Sequence, residues 1–152
     1  MPRRVRSAFA ALVAAQAAHS LEEYVGRLFD VFAPAHAVST LIVSDPRAGF
    51  VLVNAVLVAF GVWCLLVPLR AGWAMAEPLA WCWTGVEILN GFGHLFIASV
   101  RHRYFPGAFT APLLIIIGFC LAWRLMELVE ARERGAAPLR NAESGSTNQE
   151  RN

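Results

Sequence analysis

Hydrophobic positions gather into four runs, Ser7–Phe29, Phe50–Leu69, Trp73–Val100 and Ala108–Val129. Each is close to the roughly 20 residues needed to cross the hydrocarbon core of a bilayer. The pattern predicts an all-α fold, a bundle of four transmembrane helices occupying residues 1–130 as one domain. Short connections separate the runs: Asp30–Gly49 with Pro34 and Pro46, Arg70–Gly72, and Arg101–Gly107 ending in Pro-Gly. From Ala131 to Asn152 the chain is polar without apolar periodicity, and a disordered tail is expected there. The first run is rich in alanine, which suits close helix–helix approach and places it at the bundle centre.

Polar residues break this pattern in two runs. The first carries His19, Glu22 and Glu23 in the string HSLEE; the third carries Glu87, Asn90 and His94 in EILNGFGH. An ionisable group at membrane depth costs several kcal/mol unless it is paired, protonated or bound to a metal. At 100° per residue, Gln16, His19, Glu22 and Glu23 share one helix face, as do Glu87, Asn90 and His94. Depth agrees as well. His19 and Glu23 lie roughly 20 and 25 Å beyond Arg6, and Asn90 and His94 lie roughly as far beyond Glu77. Asn54 and Thr110 begin their own runs at the same level. The two stripes are therefore expected to face each other.

Composition supports the membrane reading and narrows the partners. Hydrophobic residues make up 57% of the chain and mean hydropathy is +0.51, above the usual soluble domain. A net charge of +2 without a basic, aromatic-interleaved stripe gives no reason to expect nucleic acid. The expected partners are membrane lipid and a lipophilic small molecule, with homo-oligomerisation left open. Cys64, Cys82 and Cys120 lie in apolar runs with no CxxC spacing, which argues against disulfides and thiolate metal ligation.

Arg3, Arg4 and Arg6, then Arg70, then Arg132, Arg134 and Arg140 fall on one side of such a bundle. By the positive-inside rule both termini are cytoplasmic, and a bacterial cytoplasmic membrane is the expected location. Arg101 and Arg103 run against that bias. A competing reading takes MPRRVRS and the alanine-rich stretch after it as a cleaved signal, with Ala15-Gln16-Ala17 at the scissile point. Continued apolar character through Tyr24, Val25, Leu28 and Phe29 favours an intact helix.

Imidazole and carboxylate together suit a divalent metal ion: zinc, iron or manganese. The expected ligands are His19, Glu22, Glu23 and His94, with Glu22, Glu23 and Glu87 as candidate catalytic carboxylates. Asn54, Asn90 and Tyr104 complete the polar set. Plainer roles compete: a Glu23–Arg27 ion pair at i,i+4, a protonated Glu22, or neutral histidines bonded across helices. His36 and His102 read as loop residues, and Glu127, Glu130 and Glu133 as a solvated helix end. The five tryptophans read mostly as interfacial or packing aromatics.

HSLEE, Asn90-x-x-x-His94 and Tyr104-Phe105-Pro106-Gly107, in that order, resemble the HXXEE family of small, mostly bacterial membrane proteins. The resemblance implies a domain over about residues 12–128 and gives weight to His19, Glu22, Glu23, His94 and the YFPG string. It supplies no reaction. On its own chemistry, Pro106-Gly107 makes a turn into the fourth helix, and Tyr104 either anchors at the interface or bonds into the site.

Three functions follow from these residues. The first is a membrane-embedded metalloenzyme, hydrolase or oxidoreductase, acting on a lipophilic substrate. The second is a metal-free acid–base isomerase or cyclase of isoprenoid lipids, with Trp81 or Trp83 stabilising a carbocation. The third is non-enzymatic, either a structural polar cluster or a cation relay. A relay is disfavoured because the inner halves of the second and fourth runs offer only Arg124 near an end.

Overall fold

The computed structural model describes residues 1–149, with side chains through Gly135. Seven helices follow one another without a strand among the described residues: α1 (Arg3–Val25), α2 (Leu28–Val31), α3 (Ala33–Ile42), α4 (Pro46–Leu66), α5 (Pro68–Ala71), α6 (Ala76–Arg101) and α7 (Ala111–Gln149). The four long ones correspond to the four apolar runs.

Helix α1 is central and packs against α4, α6 and α7. Its buried residues include Val5, Phe9, Leu12, Gln16, His19 and Glu23, at three- and four-residue steps. The lower half of this stripe is apolar and joins Cys64, Leu69, Trp83, Leu114, Leu121 and Leu125 in the main core. The upper half is polar.

The outer surface inverts the usual arrangement. Val56 and Phe60 on α4, Leu89 and Phe96 on α6, and Ile116, Phe119 and Trp123 on α7 are exposed, while Gln16, His19, Glu23, Glu87 and His94 are buried. Two helical stretches, Pro46–Ala71 and Ala111–Gly135, are long and apolar enough to cross a membrane. The stretches α1 and α6 do not join them, because they carry the polar side chains that face inward.

Two segments differ from the sequence expectation. The connection Asp30–Gly49 is largely helical: Pro34 lies in the first turn of α3 and Pro46 opens α4, positions where proline's missing N–H costs nothing. Asp45 caps α4 by accepting from the Arg47 amide. Helix α3 folds back on α4 so closely that a Cβ on Gly49 would lie 2.0 Å from the Ser39 carbonyl oxygen. Second, α7 runs on past Val129 to Gln149, and residues 150–152 of the expected tail lie outside the described residues. Extending an existing helix costs far less than nucleating one, and Glu130–Arg134 supports it at i,i+4.

Candidate metal centre

His19 and Glu23 lie one turn apart on α1, and His94 faces them from α6. The Nε2 atoms of His94 and His19 lie 3.0 and 3.5 Å from the same Glu23 oxygen. One ligand atom from each residue falls within 4.8 Å of the others, and all three residues are buried. The two imidazoles meet edge to face with centroids 4.6 Å apart.

The outer nitrogen of each ring, Nδ1, holds a proton. His94 Nδ1 lies 2.6 Å from the Pro106 carbonyl, which can only accept, so Nδ1 carries the proton. His19 Nδ1 lies 2.8 Å from Thr110 Oγ1. That hydroxyl spends its hydrogen on Glu22, at 2.6 Å, and therefore accepts from His19. In the neutral form both rings thus direct an Nε2 lone pair at a carboxylate oxygen. His19 Nε2 has no hydrogen-bond partner and its side chain is 0% exposed. Lone pairs converging on an anion need a proton or a metal ion between them, and a donated Nδ1–H is the usual support of a metal-binding histidine.

Glu22, expected as a ligand, does different work. Its Oε1 accepts from the Tyr104 hydroxyl (2.8 Å) and the amides of Gly107 (3.2 Å) and Phe109 (3.0 Å). Its Oε2 accepts from the Thr110 amide (2.7 Å) and hydroxyl. Five donors bind one carboxylate, which pins residues 104–110 over the end of α1. Partial burial of the hydroxyl and the nearby Glu22 carboxylate push the Tyr104 phenol up to about 12. Gly107 closes this loop with φ +93°, and a Cβ there would lie 2.4 Å from His94 Nδ1 and 2.8 Å from His19 Cε1. Only glycine fits both the backbone and the gap between the rings.

On the other side of the trio, a cavity of about 620 Å³ opens between α1, α4 and α6, bordered by α3. Glu23, His94, Glu87, Asn90, Asn54 and Gln16 belong to its polar lining; Phe32, Val38, Phe50 and Leu57 belong to its apolar wall. Glu87 is 0% exposed and neither carboxyl oxygen has a partner. Gln16 donates to Ser20, which donates to Asn54, so one polar chain links α1 to α4 beside the cavity.

The structure thus gathers Glu23, His19 and His94 at one point and Glu87, Asn54 and Asn90 along the adjoining cavity, and gives Glu22 and Tyr104 to the loop. Arg27 pairs with Asp30 and not with Glu23. Trp83 packs in the main core against Phe9 and Phe60, and neither it nor Trp81 lines the cavity. The Pro106 carbonyl and the bordering helix α3 had no sequence signal as site components. Thr110 was legible only as a polar residue at the right depth.

No curated protein and no solved structure matches the chain. The family model described as "Protein of unknown function with HXXEE motif" matches residues 10–122, running from within α1 to the first third of α7 and containing every residue of the trio. The chain belongs to the HXXEE family.

Proposed function

We propose that this chain is a four-span membrane enzyme in which His19, Glu23 and His94 hold one divalent metal ion beside a pocket for a lipophilic substrate. The observation that carries the reading is the commitment of both Nδ1 protons outward, which leaves both Nε2 lone pairs aimed at one Glu23 oxygen. Four-coordinate zinc with ligands at about 2.0–2.1 Å sets neighbouring ligands about 3.3 Å apart. The separations of 3.0 and 3.5 Å bracket that spacing. Two nitrogens and one carboxylate suit zinc, iron or manganese, and three protein ligands leave a coordination position open.

A divalent ion held there supplies a Lewis acid to a group at the polar end of the cavity. The chain's own residues do the rest. Glu87 accepts or returns a proton, Asn90, Asn54 and Gln16 orient a polar head, and the wall of Phe32, Val38, Phe50 and Leu57 takes the hydrocarbon part and excludes water. The outward apolar faces of α4, α6 and α7 support burial in lipid, and the arginine bias supports cytoplasmic termini in a bacterial membrane. Hydrolysis and oxidation both suit this donor set.

One observation favours a second reading. Glu87, buried and without a hydrogen-bond partner, is suited to remain a neutral acid and protonate an olefin, as in a metal-free isomerase. The absence of Trp81 and Trp83 from the cavity weighs against it.

The test is untargeted lipid mass spectrometry on a bacterial membrane extract incubated with metal-loaded protein, chelator-stripped protein and metal-loaded Glu87→Gln. The proposal expects a species converted by the first sample alone. Conversion by the stripped protein would establish the acid–base reading instead, and no conversion by any sample would remove the enzyme.

A further inference from the structure

At the far end of α1 from the metal centre, roughly 20 Å away by helix rise, the first two turns of α1 and the end of α4 with α5 enclose a cleft of about 350 Å³. Arg3, Arg6 and Arg70 converge on it, and Ala10, Leu65 and Leu66 give it an apolar wall. Three guanidinium groups sharing one cleft repel one another, and no carboxylate lines it. Ion pairs among the described side chains engage Arg27, Arg132 and Arg134, and none engages these three.

Arg6 sharpens the imbalance. Its Nε is buried and has no hydrogen-bond partner, so one N–H of this half-buried charged group has given up water without replacing it. The adjoining start of α1 has no capping side chain and no acidic residue in its first turn, so no negative group there offsets the arginines or the positive helix end. A neighbouring basic cleft behaves differently: Arg4 and Arg124 there are accompanied by Glu127. The Arg3–Arg6–Arg70 cleft is the one left uncompensated.

We propose that this cleft binds the phosphate of an anionic phospholipid, with one acyl chain laid along Ala10, Leu65 and Leu66. Guanidinium groups match phosphate oxygens with paired, charge-assisted hydrogen bonds. The apolar wall, at the end of the membrane-length stretch Pro46–Ala71, favours a lipid over a free anion. A basic pocket between helices at the cytoplasmic surface is where anionic headgroups concentrate. This inference shares the membrane placement proposed above but is independent of the metal and of any reaction.

The experiment is thermal unfolding of the full chain in neutral detergent, followed by tryptophan fluorescence, with added dioleoyl phosphatidylglycerol, dioleoyl phosphatidylcholine or inorganic phosphate. Phosphatidylglycerol at about tenfold over its dissociation constant is expected to raise the midpoint by about 4 °C, and the other two by much less. Arg6→Gln and Arg70→Gln should each remove most of that shift, whereas Arg103→Gln, at the opposite end, should keep it. Equal shifts with phosphatidylcholine, or an undiminished shift in Arg70→Gln, would overturn the site. A full shift with inorganic phosphate would overturn the lipid in favour of a soluble anion. Should Arg6→Gln fail to fold, the exposed Arg3→Gln and Arg70→Gln decide the matter by native mass spectrometry. Retention of phosphatidylglycerol over phosphatidylcholine should then fall at least fivefold, and unchanged retention would refute the proposal.

Discussion

The loop at residues 104–110 and the cavity between α1, α4 and α6 lie on two sides of the same turn of α1, and they differ in how fully their polar groups are matched. On the loop side, Glu22 receives five hydrogen bonds and no lone pair is left pointing at empty space. On the cavity side, His19 Nε2 and both oxygens of Glu87 have no partner, and Glu23 faces two imidazole nitrogens with one oxygen. Satisfied groups hold a shape, and unsatisfied buried ones call for a reason, such as strain, a catalytic role, or a water or ion that completes them. Adjacent residues of one motif therefore divide the labour: Glu22 builds the wall, and Glu23 faces the two histidines with which it could hold an ion.

The largest effects should fall on the unmatched side. His19→Ala and His94→Ala are each expected to weaken metal binding by more than about 100-fold while leaving the fold intact, measured by competition with a chromophoric chelator. Unchanged affinity in both variants would remove the distinction between the two sides. Glu22→Gln should show the opposite signature, with stability lower by about 2–4 kcal/mol as charge-assisted bonds to the loop are lost. Unfolding in denaturant reads this directly. Glu23→Gln should cost metal with much less stability, and equal losses in the two variants would merge their roles.

Gly107→Ala tests the wall between them. Positive φ and the 2.4 Å approach to His94 Nδ1 predict a loss of about 1–3 kcal/mol, seen as a lower unfolding midpoint. Thr110→Val should lower metal affinity by about tenfold, because His19 loses the acceptor that fixes its tautomer; Thr110→Ser should restore it. The smallest effect belongs to Tyr104→Phe, at about 1 kcal/mol. Its phenol, neutral when it donates to Glu22, has a pKa raised from 10.0 to about 12. Its contribution is therefore whole below pH 10 and lost as pH rises through about 12. Ultraviolet titration of a Tyr24→Phe background should find that high value, and Glu22→Gln should lower it.

Helix positions and the polar layer were legible because apolar runs and 100° periodicity are local properties. The pairing of α1 with α6 was legible through depth, since rise per residue puts His19 and His94 at one level. The division between the two glutamates was not. From His19, Glu23 lies about 40° to one side and Glu22 about 60° to the other, so both share its face until neighbouring elements are placed. The loop after α6 then claims one and the cavity the other. Helix α3 was hidden for a different reason, as Pro34 and Pro46 read as breakers when they start helices. The continuation of α7 past Val129 escaped because it depends on propagation from an established helix and not on an apolar face.

Elemental mass spectrometry on the full chain, purified in detergent without chelator or nickel affinity resin, tests the centre of this account most directly. The account predicts about one zinc, iron or manganese ion per chain, retained through gel filtration and absent from His94→Ala. A metal-free chain that stays metal-free after incubation with each of the three ions would contradict it.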